Sequence, residues 1–373
     1  MSNFIPVNEP LLDGNEKKYL AECIDTGWIS SEGPFVKRFE EDFATRIGRK
    51  HGIAVTNGTS AIDLAVEVLE IGPGDEVIMP TFTIISCILQ ITRSGAKPVL
   101  VDSNPLTFNM DVAQIEEKIT SKTKAIMVVH IYGLPVEIDP VLELCKKYNL
   151  KLIEDSAEMI GQTYKDKPCG SFGDISTVSF YSNKHITTGE GGMVLTDNDV
   201  LANKCREIRN LCFVPNKRFV HERLGWNLRM TNVQAAIGVA QLERLDEFLN
   251  KKRWIGQRYN ELLADLKGIQ LPLNKTDYAN NIYWVYALVL DNMLEFDVGE
   301  IMSNLAKIGV GSRPFFCPMH QQPVLKKQGF FKNEKYSVSE RLYDRGFYLP
   351  SGLALTETQI VHVVDSLKKV LKK

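Results

Sequence analysis

What the sequence lacks narrows its function before any motif is read. Lys and Arg total 44 against 46 Asp and Glu, giving a net charge of -2. No basic run is long enough to form a nucleic-acid arm, so a polyanion-binding role has no support. No stretch approaches the roughly 18 consecutive apolar residues of a membrane span. The first twenty residues carry Glu9, Asp13 and Glu16 and no apolar h-region, so a signal peptide is not expected. The seven cysteines (Cys23, Cys87, Cys145, Cys169, Cys205, Cys212, Cys317) are odd in number and never form a C-x-x-C pair. That excludes a zinc ribbon or disulfide framework and predicts reduced thiols in a cytoplasm, with no metal site. Internal repeats and low-complexity linkers are absent too.

What is present suits a compact globular protein. The chain has 373 residues, of which 44% are hydrophobic and 24% charged, enough for about two domains and a sizeable core. From about residue 52 to residue 196, short aliphatic runs alternate with amphipathic stretches. The runs are 53–55, 76–79, 98–101, 125–129 and 152–153. Runs apolar on both faces and separated by helices predict an α/β fold with a mixed, mostly parallel sheet sandwiched by helices. Two later runs, 178–180 and 193–195, flank a glycine-rich turn and are expected to pair antiparallel. Residues 233–249 read as nearly uninterrupted helix. A strand at 283–290 and a closing helix from about Thr356 indicate a smaller C-terminal α+β domain. We expect a large domain at 1–255, whose N-terminal segment helps form the substrate site, and a small one at 256–373.

In open parallel sheets, ligands sit beyond the carboxyl ends of the strands. After the first run come Thr56-Asn57-Gly58-Thr59-Ser60, a glycine turn with hydroxyls opening a helix. Free helix N-terminal amides and hydroxyls form an anion pocket suited to phosphate. No Walker loop is present, since G-x-x-x-x-G-K-[ST] is absent. After the fifth run come Glu154-Asp155-Ser156-Ala157-Glu158, whose carboxylates could hold a cationic nitrogen. Taken alone, both segments are also ordinary helix caps. The third element is Lys184, which leaves an apolar strand and precedes the glycine-rich Thr187-Thr188-Gly189-Glu190-Gly191-Gly192-Met193. A lysine desolvated there is a candidate Schiff-base nucleophile. Pyridoxal phosphate enzymes need a lysine imine, an acid for the pyridinium nitrogen and a phosphate cup, and all three occur in the order cup, acid, lysine.

In combination these segments resemble the DegT/StrS sugar aminotransferases, a family of fold-type I pyridoxal-phosphate enzymes. The similarity runs almost end to end. It includes Trp28-Ile29-Ser30-Ser31, Gly72 to Ile78, Thr123 to Met127, Asn183-Lys184, Arg229-Met230-Thr231-Asn232, Arg313-Pro314 and Pro318-Met319-His320. The resemblance implies that Lys184 forms the internal Schiff base with pyridoxal 5'-phosphate and shuttles protons to sugar C4. It implies that Asp155 bonds the pyridinium nitrogen, that Glu158 lies near the phenolic oxygen, and that Gly58, Thr59, Ser60 and Ser179 hold the phosphate. Asn227 would reach that phosphate from the second subunit of a homodimer with shared active sites. Trp28, Ile29, Ser30, Ser31, Arg229, Arg313 and His320 would help hold the nucleotide sugar.

The implied reaction moves an amino group from L-glutamate to C4 of a nucleotide-linked 4-keto-6-deoxyhexose. The product is a 4-amino-4,6-dideoxy sugar of perosamine or viosamine type for surface polysaccharide such as O-antigen. The base, guanine, thymine or uracil, is left open. Alternatives on the same scaffold are a pyridoxamine-dependent sugar 3-dehydratase and a non-catalytic cofactor-binding regulator. Three residues depart from the family pattern: Ile84 where an aromatic usually covers the ring, His185 beside the lysine, and Cys317. By strand alternation His185 is expected to point away from Lys184 in a structural role.

Overall fold

The computed structural model describes residues 4–214 and 217–372. Each aliphatic run of the first half becomes a strand of a seven-stranded sheet: β1 (His51–Val55), β2 (Glu76–Pro80), β3 (Lys97–Val101), β4 (Thr123–Val129), β5 (Lys151–Asp155), β6 (Ile175–Ser179) and β7 (Gly192–Thr196), in the order β1-β7-β6-β5-β4-β2-β3. Strands β6, β5, β4, β2 and β3 pair parallel, and β7 pairs antiparallel with both β6 and β1. The expected antiparallel pair of later runs is therefore present, and β7 inserts between β1 and the rest. Because β7 alone is reversed, the carboxyl ends of the other six strands emerge on one edge. Helices cover both faces, as sheets apolar on both sides require.

Helices α1 (Glu16–Thr26) and α2 (Pro34–Ile47) pack beside α3 (Gly58–Val68), α4 (Ser86–Arg93) and α5 (Asn232–Leu242) in the large-sheet half. The stretch expected to be one helix over 233–249 breaks at Glu243-Arg244, where a second helix, α6 (Leu245–Leu263), begins. Glu243 is drawn aside by Tyr19 Oη at 2.6 Å, Asn15 Nδ2 at 2.7 Å and Arg38 at 3.0 Å. Those donors tie the break to α1 and α2.

The small sheet comprises β8 (Ile269–Gln270), β9 (Tyr286–Leu290), β10 (Arg313–Pro314) and β11 (Gly346–Leu349), antiparallel in the order β8-β9-β11-β10. It packs against α6 and the closing helix α7 (Glu357–Leu371), which a Thr356/Gln359 capping box begins as the sequence predicts. Residue 255 lies inside α6, whose Phe248 and Leu249 join the large-sheet core while Ile255 and Tyr259 join the small-sheet core. Residues 5–7 bond to Gly309, Gly311 and Ser351 and so pair with the small unit, although the sequence reading placed them in the large domain. The strand expected from Tyr283 starts only at Tyr286. Tyr283 sits at φ 49°, a left-handed conformation no ladder accommodates.

Candidate active site

Of the six aligned carboxyl ends, those of β1, β2, β4, β5 and β6 open into a cavity of about 380 Å³, within the usual range for small-molecule sites. At the end of β1, Asn57 caps α3 by accepting the Ser60 N–H on Oδ1 at 2.9 Å. The first N–H groups of a helix have no intrahelical acceptor. With Ser60 N–H taken, those of Gly58 and Thr59 remain for an anion. Thr59 Oγ1 lies 2.8 Å from Ser86 Oγ at the start of α4, and Ser179 closes the cup from the end of β6. Gly58 is required here by close approach: a Cβ would stand 2.7 Å from the Ser179 Cβ. A phosphate fits this donor set by charge and geometry.

Across the cavity floor lie two carboxylates and one amine. Asp155 ends β5, is 2% exposed, and accepts the Ala157 N–H at 3.0 Å and the Cys87 thiol at 3.3 Å. Burial pushes its carboxyl above the ordinary value. Glu158 accepts the Tyr132 N–H at 2.9 Å, and burial pushes it up to about 7. The Lys184 Nζ lies 3.8 Å from Glu158 Oε1, an ion-pair distance longer than a hydrogen bond, and burial pushes the amine down. Desolvation thus moves both partners toward a neutral pair. A buried amine that is readily deprotonated can attack a carbonyl, and a buried carboxylate short of donors is suited to a cationic ring nitrogen. The residues present therefore fit pyridoxal phosphate at cup, acid and lysine.

Of the residues singled out from sequence, Gly58, Thr59, Ile84, Asp155, Glu158, Ser179, Lys184 and Arg313 line this one cavity. Ser60 is 6% exposed behind the cup, its hydroxyl 3.0 Å from Thr56 Oγ1. Trp28 and Ile29 are half-exposed, and the segment is pinned away from the cavity lining by Asn232, which bonds the Trp28 and Ser30 carbonyls. Asn227 is exposed and accepts from Arg229 Nε at 2.9 Å. Ser31 and Arg229 line a separate surface recess with Arg206 and Arg209. His320 is 3% exposed outside the lining, with Nδ1 2.8 Å from Thr81 Oγ1 and Nε2 3.0 Å from Glu340. Both its ring nitrogens are engaged within the protein. His185 is buried as expected, but it sits in a bend instead of a strand, so alternation is not the cause of its direction.

Sequence reasoning missed Trp284, Phe316 and Tyr348, which form the far wall from β11 and from segments flanking the small sheet. The signal available was the aromatic run 283–286, which reads as ordinary strand. Trp284 follows the left-handed Tyr283 and faces the lysine. The indole centroid lies 3.9 Å from Lys184 Nζ, and the indole N–H donates to the Asn183 carbonyl at 2.9 Å.

Comparison with known proteins agrees with this geometry. Residues 10–368 match the DegT/DnrJ/EryC1/StrS aminotransferase family. The chain is 44% identical over 367 residues to a GDP-perosamine synthase of Caulobacter vibrioides, covering 98% of each chain. It is 41% identical to a GDP-perosamine synthase of Vibrio cholerae, again over 98% of each. A Streptococcus pneumoniae protein solved in its PMP form superposes with a TM-score of 0.91 at 27% identity, covering 99% of this chain and 98% of that one. The chain belongs to the DegT/DnrJ/EryC1/StrS aminotransferase family, whose cofactor is pyridoxal phosphate.

Proposed function

We propose that this aminotransferase moves the amino group of L-glutamate to C4 of a nucleotide-linked 4-keto-6-deoxyhexose, with GDP-perosamine as the product. The observation that carries the reading is the buried Lys184 amine, set between Glu158 and Trp284 and facing a vacant-donor cup at Gly58 and Thr59. Support for the sugar comes from the relatives named GDP-perosamine synthase at 41–44% identity.

When bound, the cofactor supplies an electron sink that acidifies the carbon bearing the transferred nitrogen. Lys184 Nζ would hold the cofactor covalently and would be the group placed to move a proton at that carbon. Asp155 would hold the ring nitrogen in its protonated form. The Gly58 and Thr59 N–H groups and the Thr59 and Ser179 hydroxyls would hold the phosphate, and Ile84 would offer aliphatic surface to the ring. Among the described residues Arg313 is the one cation besides Lys184 in the cavity lining, so it is our choice to receive the carboxylate of glutamate or the diphosphate of the sugar nucleotide. L-Glutamate and the 4-keto sugar would enter in alternating half-reactions, 2-oxoglutarate and the amino sugar leaving in turn, which predicts ping-pong kinetics.

The exposed Trp28, Ile29 and Asn227 and the half-buried Arg229 belong in this reading to a homodimer, in which each copy completes its partner's cavity. Among the described residues no helix is long and apolar enough to cross a membrane. We assign the enzyme to the cytoplasm and to surface-polysaccharide (O-antigen) synthesis. The test is amino transfer from L-glutamate to GDP-, dTDP- and UDP-linked 4-keto-6-deoxyhexoses, with products identified by mass and NMR. Formation of a 3-deoxy sugar, or no transfer to any of the three, defeats the reading.

A further inference from the structure

Lys252 on α6 is a lysine in an unusual position. It is 1% exposed and has no carboxylate partner among the described residues. Its Nζ donates to the carbonyls of Trp284 at 2.7 Å and Ser351 at 2.6 Å. Both acceptors lie just outside the small-sheet ladder, because the pairing of β9 with β11 ends at Tyr286 and Leu349. They are buried carbonyls that the ladder leaves without donors, and a methionine or leucine in place of Lys252 would orphan both. Two acceptors match the two N–H bonds of a neutral amine, and burial holds Lys252 down to about 7. The clamp therefore needs no charge.

Trp284 is what the clamp holds. Its carbonyl is fixed by Lys252, its indole N–H is fixed by the Asn183 carbonyl, and its ring face lies over Lys184 Nζ at 3.9 Å. An indole face is the aromatic surface that best attracts an ammonium, by about 0.5 to 2 kcal/mol. The other charged groups facing Lys184 are Glu158 and Asp155, while Lys252 and the neutral, buried His185 lie behind. We infer that Trp284 is a catalytic residue whose ring holds the Lys184 nitrogen in place when it is protonated, and that Lys252 is the positioning residue that sets Trp284. This rests on the reading of Lys184 as the Schiff-base lysine. Each time that lysine is freed from the cofactor, the ring keeps its nitrogen within the cavity and favours its acidic form.

The test uses the cofactor-loaded enzyme and the variants Trp284→Phe, Lys252→Met and the double variant. Three readouts are taken: the pH midpoint of the yellow imine absorbance, the single-turnover rate with L-glutamate, and the melting temperature. We expect each single variant to slow the glutamate half-reaction about five- to tenfold at unchanged KM. Each should also lower the spectral midpoint by about half a pH unit, and the double variant should be no worse than the poorer single one. The inference is overturned if Lys252→Met melts earlier while its midpoint and rate match wild type, which would make the clamp merely structural. It is also overturned if Trp284→Phe leaves midpoint and rate unchanged, and that variant decides alone should Lys252→Met fail to fold. A wild-type protein without imine absorbance would instead defeat the underlying assignment of Lys184, a result none of the variant outcomes can mimic.

Discussion

Glu154 and Asp155 are consecutive residues of β5, equally buried, and face opposite sides of the sheet. Glu154 accepts Gly170 N–H at 2.6 Å, Phe172 N–H at 2.8 Å, His130 Nε2 at 3.0 Å and Ser176 Oγ at 3.2 Å. Burial alone would raise its carboxyl, but these donors outweigh it and hold the group below its ordinary value. His130 completes the network by accepting the Val136 N–H on Nδ1 at 2.9 Å, so Nε2 carries the proton toward Glu154. The grouping of His130, Glu154 and Cys169 therefore has the lone pairs of its histidine already committed, and hydrogen bonding accounts for it without a metal. Asp155 has one backbone donor and a weak thiol donor, and burial wins. A buried carboxylate with its lone pairs filled is part of the fold, whereas one left short beside a cavity is equipped for chemistry.

The most severe way to sharpen this contrast is Lys184→Ala. Turnover and imine absorbance should both vanish, while the melting temperature stays at or above wild type because a buried amine has been removed. Loss of folding would assign Lys184 to the structural class. Next, Asp155→Asn should reduce kcat by about 10²- to 10³-fold with little change in stability, as expected when one preorganised charge is neutralised. Glu154→Gln should do the opposite. Its amide nitrogen would face donors where an acceptor is needed, destabilising the protein by about 3 kcal/mol in urea titrations, with kcat per folded molecule close to wild type. A stable but inactive Glu154→Gln enzyme would break the comparison.

A smaller effect is expected at the cup. Gly58→Ala places a Cβ 2.7 Å from the Ser179 Cβ, so one wall must retreat. Pyridoxal phosphate affinity, read by absorbance titration of cofactor-free protein, should fall about tenfold. Unchanged affinity would show that the phosphate does not use this approach.

Much of the cavity was legible in the sequence because its parts are local. Asn57 to Ser60 and Asp155 to Glu158 lie at the ends of β1 and β5, Lys184 lies in the bend that comes after β6, and a parallel sheet must bring such ends together. What the sequence did not reveal depends on contacts between distant segments. Trp284 lines the cavity directly after Tyr283, which adopts a positive φ, and bonds from Lys252 and to the Asn183 carbonyl hold it there. His320 looked like a ligand-binding histidine in its motif, yet Thr81, 239 residues away in the chain, and Glu340, 20 residues on, engage both its nitrogens. The split of α6 between two cores was likewise invisible, because its apolar periodicity runs on unbroken while the partners change at about Lys252.

The finest test concerns Glu158, which lies between the two classes: it has one firm donor, Tyr132 N–H, and a lysine slightly too far for a hydrogen bond. Burial raises its carboxyl from 4.5 to about 7. Between those values the native chain binds more protons than the unfolded one, so this group's stabilising contribution is complete below pH 4.5 and is lost as pH rises to about 7. Lys184, pushed below its ordinary 10.5 by burial, acts in the other direction at higher pH, where stability grows as the native amine sheds its proton earlier. In cofactor-free protein, Glu158→Gln should flatten the fall in stability between pH 4.5 and 7, a difference on the order of 1 to 3 kcal/mol by urea unfolding at the two ends of that window. The same pH slope in the variant would mean that Glu158 is ionised throughout. It would then belong with Glu154 among the satisfied carboxylates, with Lys184 as the partner that fills its remaining lone pairs.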